Sequence, residues 1–315
     1  MPRRLGLPSL YLAAAVATAA TTAVPLAMTP ASGLALRPAA TEPTRPYIVI
    51  AGSRADARDL VGEVRWRVRR YYTAALPGFA TFLTAAELAE LRADPRVSAV
   101  EPDRQIHPMP VRRPALPPAG RAAGAGVTVY VVDSGVDAGR PAFEERAWRA
   151  FDATGGAGRD CTGHGTQVAG RVHAAAPGAR IASVRVLGCG GPGTLADVLA
   201  GLDWIRRHAR GPSVAALSLD GAGSVAFDTA VHALVRSGVF VVGAADSAAC
   251  RMRPGGAAYT ALTPHLAGAA ARYLELHPGA NPAILTSRFN CTSARGAIRQ
   301  NPSRASNLLM HSGGL

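Results

Sequence analysis

Gly124-Ala125-Gly126-Val127-Thr128-Val129-Tyr130-Val131-Val132-Asp133-Ser134-Gly135-Val136-Asp137 is the stretch whose reading decides the fold. Val127 to Asp133 is apolar almost throughout and ends on a carboxylate followed by a glycine turn, the pattern of a strand buried on both faces. The signature recurs at Arg180 to Leu187, Ser213 to Leu219 and Val239 to Ala245. Helical stretches lie between and after these runs: Thr166 to Val172, Leu195 to His208, Val225 to Ser237 and the alanine-rich Thr260 to Leu276. Strands alternating with helices predict an α/β domain over 124–315, a parallel sheet with helices on both faces. In such sheets, sites form beyond the carboxyl ends of the strands.

Upstream the pattern differs. Tyr47 to Ile50 reads as a strand, Ala55 to Arg69 as a helix, and Tyr72 to Leu83 contains a turn, Leu76-Pro77-Gly78-Phe79, leading into a strand. Thr84 and Glu87 form a capping box that opens a helix over Ala85 to Ala93, and Val97 to Val100 is a last strand. This order predicts a small α+β, ferredoxin-like unit over 46–105, only marginally stable by itself. A Pro/Arg-rich linker is expected over 106–123. At the N-terminus, Arg3 and Arg4 precede an uncharged stretch from Leu5 to Leu36 with an apolar run at Leu10 to Ala20. Gly33-Leu34-Ala35 fits a small-residue cleavage site, so residues 1–35 read as a secretory signal peptide and the chain as secreted, with no membrane association.

Composition narrows the function classes. The 315 residues are 48% hydrophobic, too apolar for a disordered chain. The net charge of +13 comes from 34 basic residues that are all arginine, which reflects codon bias in a GC-rich genome. They are scattered, and no aromatic platform accompanies them, so no nucleic-acid partner is expected. Four cysteines in an exported chain suit disulfides, whose pairing spacing alone does not settle. His173, His208, His232, His265 and His277 form no metal-ligand spacing with them, so no metal site is expected.

Three segments carry candidate chemistry. Asp133 ends the first strand, His164 stands in Gly163-His164-Gly165-Thr166 at a helix start, and Thr263-Pro264-His265-Leu266-Ala267-Gly268 opens the last helix. A carboxylate that orients an imidazole, which in turn activates a hydroxyl, is the constellation of acyl transfer. Read separately, Asp133 is equally a residue closing a strand and His164 a structural histidine in a glycine loop.

Together these segments resemble the subtilisin-like serine proteases of the proteinase K and aqualysin type. Asp160-Cys161-Thr162-Gly163-His164-Gly165-Thr166, Ser183-Val184-Arg185-Val186-Leu187 and Gly201-Leu202-Asp203-Trp204 extend the likeness, and Pro46 to Asp103 resembles the family's inhibitory propeptide. The resemblance implies that Asp133 orients His164, that His164 is general base and acid, and that Thr260 occupies the nucleophile position. It puts Ser247 at the oxyanion-hole position and the edges that hold an extended peptide at Gly191, Gly193, Ser218, Leu219, Asp220 and Gly221. It implies a Cys161–Cys189 disulfide and leaves Cys250 and Cys291 unassigned. The implied partners are a peptide or protein substrate and the chain's own prodomain, in a monomer processed between Gln105 and Arg121. Family members often hold calcium, but no calcium site is identifiable here, and no cofactor is expected.

Several residues depart from the family pattern. Thr260 replaces serine and adds a β-methyl that stiffens χ1. Ala258 stands where a glycine is usual, Asp220 likewise, and Gln167 takes the place of a histidine. Ser247, beside Asp246, replaces an asparagine donor whose loss costs about 3 kcal/mol of transition-state stabilisation. His164 and Thr260 are 96 positions apart, against roughly 150 in subtilisins, and the shortfall lies between Cys250 and Ala258. The sequence thus predicts an abbreviated, impaired serine-type endopeptidase. The alternative is an inactive pseudoprotease that binds peptide or its own prodomain, and a decayed product that does not fold is a third reading.

Overall fold

A computed structural model describes residues 42–64, 67–111, 120–220, 223–243, 257–259, 263–291, 293–295 and 308–310. The expected signal peptide, Cys250, Ser247, Thr260 and Gly221 lie outside the described residues. Strands β1 (Arg45–Ala51), β2 (Val68–Tyr72), β3 (Gly78–Leu83) and β4 (Val97–Pro102) form an antiparallel sheet in the order β2-β3-β1-β4. Helices α1 (Arg54–Val64) and α2 (Ala85–Ala93) belong to this small layer. The capping box is formed: the Thr84 hydroxyl accepts from the Glu87 amide, and Glu87 accepts from the Thr84 amide.

Alternate residues of β1 face opposite ways. Val49 and Ala51 join Ala57, Leu60, Phe79 and Leu83 in a core of the layer's own, whereas Ile48 and Ile50 pack with residues of the larger sheet's helices. With both faces covered, β1 is apolar without alternation. The helix expected to reach Arg69 stops at Val64, because Val68–Tyr72 pairs with β3 and Tyr72 is buried there. Sheet pairing overrides the helix preference of the arginines.

Beyond β5 (Gln105–Pro108) come β6 (Thr128–Asp133), β7 (Ala147–Asp152), α3 (His164–Ala175), β8 (Arg180–Arg185), β9 (Gly193–Thr194) and α4 (Leu195–His208). Then follow β10 (Ser213–Leu217), β11 (Leu219–Asp220), α5 (Val225–Arg236), β12 (Val239–Gly243), β13 (Ala257–Tyr259), α6 (Thr263–Leu276) and α7 (Pro282–Cys291). Six strands form a parallel sheet in the order β13-β12-β10-β6-β8-β7. Strand β6 comes first in the chain yet sits inside the sheet, with β8 on one side and β10 on the other. The direction of winding reverses there, which opens a crevice at its carboxyl end.

The sheet is buried on both faces. Tyr130, Val132, Ala215, Leu217 and Val241 pack toward α4 and α5, while Val129, Val214, Ala216 and Val242 pack toward α3, α6 and α7. Strand β7 escapes the sequence reading because Arg149 interrupts its apolar run, and α7 despite its signals, an Asn281 side chain accepting from the Ile284 amide and proline at the first helical position. The expected linker over 106–123 is corrected at its start: β5 lies between β11 and β9, antiparallel to both, because the edges of those two short strands supply the partners its backbone needs.

Candidate functional site

The carboxyl end of β6 delivers Asp133, whose side chain is fully buried. The residue before α3 is Gly163, with a left-handed φ of 81°, and His164 is the first residue of that helix. The next glycine has a packing reason: a Cβ on Gly165 would lie 2.0 Å from the Gly135 carbonyl oxygen. Only glycine lets α3 begin this close to the end of β6. As a result the His164 Nδ1 and the Asp133 Oδ1 are 2.7 Å apart.

Asp160 organises the loop between them. Its Oδ1 accepts from the Ser134 hydroxyl at 2.9 Å and the Gly163 amide at 2.9 Å, and its Oδ2 accepts from the Thr166 amide at 2.8 Å and the Thr166 hydroxyl. Burial raises this carboxyl's pKa, but the donors, led by the Thr166 hydroxyl, outweigh it and hold the pKa below the ordinary value. The Ser134 hydroxyl also accepts from the Gly165 amide, tying the β6 turn to α3. Asp160 was quoted in the sequence only as part of a motif. Its legible signal is an acidic residue in the turn leading into a helix N-terminus.

On its other side His164 meets the backbone of Met109, a residue that sequence reasoning missed. The Nε2 lies 2.6 Å from the Met109 carbonyl oxygen, and the Met109 amide donates to the Ser218 carbonyl at 2.8 Å. A carbonyl oxygen only accepts, so Nε2 donates to it while Nδ1–H donates to Asp133, and the ring satisfies both as an imidazolium. Burial disfavours that charge. The Asp133 bond, its negative charge and the Met109 carbonyl outweigh burial, so the His164 pKa is raised above its ordinary value. For Asp133, burial is the largest influence and pushes the pKa up against the pull of the His164 and Ser134 donors.

The peptide-edge positions gather here. Gln105 pairs with Thr194 and Ile106 with Gly193 on one side; His107 pairs with Asp220 and Pro108 with Leu219 on the other. Gly191 stands apart from this ladder, in a turn with a φ of 103°. Cys161 and Cys189 are bonded, and the buried Arg185 directs its Nη2 at both sulfurs, 3.3 and 3.1 Å away, while its Nη1 meets Asp152. Tyr259 ends β13 and Thr263 opens α6, with Thr260 between them outside the described residues. Among the described residues, no group of three or more histidine, cysteine, aspartate or glutamate side chains is placed to hold a metal ion. No helix among them is long and apolar enough to cross a membrane.

The small layer docks on α4 and α5 through carboxylates aimed at backbone amides. Asp103 accepts from the Ala196 amide at 2.9 Å and Glu101 from the Ala226 amide at 2.7 Å, one at each helix start. In return Asp203 of α4 accepts from the amides of Thr73, Ala74 and Ala75, at 3.0, 2.7 and 2.8 Å. The Tyr72 hydroxyl reaches the Ala196 carbonyl, and Arg70 pairs with Asp197.

Comparison with known proteins fits this geometry. Residues 124–246 match the Subtilase family and residues 44–109 match Peptidase inhibitor I9. The chain is 33% identical to an extracellular serine proteinase of Thermus sp. (strain Rt41A), over 82% of this chain and 81% of that one. It is 34% identical to the alkaline serine exoprotease A of Vibrio alginolyticus, over 60% of this chain and 41% of that one. The crystal structure of a cold adapted subtilisin-like serine proteinase, 29% identical, superposes with a TM-score of 0.52 and covers 67% of this chain and 95% of that one. With one third of its residues identical to an extracellular serine proteinase over most of both chains, and the family's pattern matched over residues 124–246, the chain belongs to the subtilase family.

Proposed function

We propose that the chain is an exported endopeptidase precursor, with a signal peptide over 1–35, an inhibitory propeptide over 46–105 and an abbreviated catalytic domain from 124 onward. Its reaction is peptide-bond hydrolysis through an acyl-enzyme. The Thr260 hydroxyl attacks the substrate carbonyl carbon and gives its proton to His164 Nε2, with Asp133 holding Nδ1–H. The imidazolium then protonates the leaving nitrogen as the C–N bond breaks, and water hydrolyses the ester by the reverse proton path. Threonine in place of serine, and Ser247 at the oxyanion position, make the enzyme slow.

The observation that supports this reading most is the 2.7 Å contact between His164 and a wholly buried Asp133 at the carboxyl end of β6. Hydrolysis of a chromogenic peptide by the secreted protein tests it. Thr260→Ala should abolish turnover, and Thr260→Ser should raise kcat by about tenfold or more. Turnover that survives Thr260→Ala sinks the proposal. A second reading, a peptide-binding protein that does not hydrolyse, is favoured by the Met109 carbonyl on His164, since Nε2 has no lone pair to offer while it donates there.

A further inference from the structure

Main-chain pairing across β9 and β11 holds an extended strand without regard to its sequence, so selectivity has to come from side chains along the two walls. The β9 wall has little to offer. Gly193 stands opposite Ile106, and a Cβ there would lie 2.2 Å from the Val186 carbonyl oxygen. The Thr194 hydroxyl is already engaged as the cap of α4, accepting from the Asp197 amide and donating to the Asp197 carboxylate. On β11 the two residues divide. Leu219 is buried with Ile106 in the core shared with α4 and α5, and the alternation of a strand turns Asp220 the other way, into solvent. The pairing of β5 with β11 fixes which position of an extended strand it meets. Asp220 stands opposite His107, two residues before the Met109 carbonyl that reaches His164. Residues directly opposite in an antiparallel pair have Cβ atoms about 5 Å apart on one face, close enough for their charges to attract or repel. His107 is exposed as well, so a longer side chain fits at its place. The glycine usual at position 220 has no side chain with which to exert such a preference.

We infer that Asp220 makes the cleft selective for basic peptides: an extended strand with arginine or lysine two residues before the one whose carbonyl meets His164 is held more tightly than a strand with glutamate or aspartate there. The inference rests on the reading of this cleft as a peptide-binding site and adds the charge of its ligand. It holds whether or not the peptide is cut. Because the pair lies in solvent, the preference is severalfold and not absolute.

The strand that pairs with β11 in the full chain reads the preference without any hydrolysis. The Met109 amide donates to Ser218 and exchanges only when β5 lifts away, so its protection reports how firmly position 107 is held. His107→Arg should be protected about fivefold more than His107→Glu. The ratio should fall toward one when Asp220→Asn is added to both, and also in about 1 M salt, where screening leaves a range of only about 3 Å. Equal protection of the two variants, or a ratio that survives Asp220→Asn, overturns the inference. Chromogenic peptides added in trans give the second measurement. Two peptides that differ only in arginine or glutamate at that position should differ about fivefold in kcat/KM, the arginine peptide being faster, and Asp220→Asn should erase the difference. Equal values in the parent overturn the inference. A chain that cuts neither peptide loses the proposed hydrolysis, while the exchange ratio still decides the preference.

Discussion

The two faces of the small antiparallel sheet solve the same problem with different partners. One face is closed by α1 and α2 over Val49, Leu60, Phe79 and Leu83, all local in sequence. The other is closed by α4 and α5 against Ile48, Ile50 and Tyr72, and those helices begin more than 90 residues further along. The first face gives the layer an identity of its own, and the second makes its stability a property of the whole molecule. Docking is also more polar than the inner core: Asp103, Glu101 and Asp203 each meet backbone amides across the joint.

Truncations on the two faces should therefore behave differently. Phe79→Ala is expected to cost about 4 kcal/mol and Ile48→Ala about 3 kcal/mol. Exchange protection should fall within β1–β4 for the first, and also in α4 and α5 for the second. Equal protection of α4 in both variants would break the distinction. Asp203→Ala comes next, at about 3 kcal/mol or less, because it strands three amides at positions 73–75. Its signature is a lower denaturant midpoint, with the inner face of the small layer still protected.

The smallest effect belongs to the outer helix. Thr84→Ala removes the α2 cap and should cost about 1 kcal/mol, with nothing transmitted to α4. Glu87 adds a pH dependence to the same helix. Its hydrogen bond with Arg67, followed by that with the Thr84 amide, lowers its pKa from 4.5 to about 2. A depressed carboxyl stabilises the fold above the ordinary value, and that stability is lost as pH falls from about 4.5 toward about 2. Acid unfolding of Glu87→Gln should show a shallower slope across that window, and an unchanged slope would remove Glu87 from the account.

The long buried elements were legible because periodicity alone carries them. Thr128–Asp133, Ser213–Leu217 and Leu195–His208 were read within two residues of their observed bounds, and the Thr84/Glu87 box opened its helix where expected. Asp133 and His164 were legible as strand-end and helix-start residues, though only the fold brings them together. Less visible were features that depend on partners distant in sequence. Val68–Tyr72 became a strand through β3, and the Pro-rich start of the linker became one through β9 and β11, which no local pattern announces. Met109 has no side-chain chemistry to attract notice, since it acts through its amide and carbonyl. Asp160 was obscured for the opposite reason, as a polar residue among many in a glycine loop.

The seat of β5 also bears on the order of folding. Its hydrogen-bonding neighbours, Gly193–Thr194 and Leu219–Asp220, emerge roughly 90 to 110 residues after it, and closing a loop of that length is entropically costly until its far wall exists. During synthesis the strand must wait, unpaired, while β6 acquires β8 and β10 and the crevice takes shape. Seating of β5 therefore follows the pairing of the central strands β6, β8 and β10, although it stands well before them in the chain.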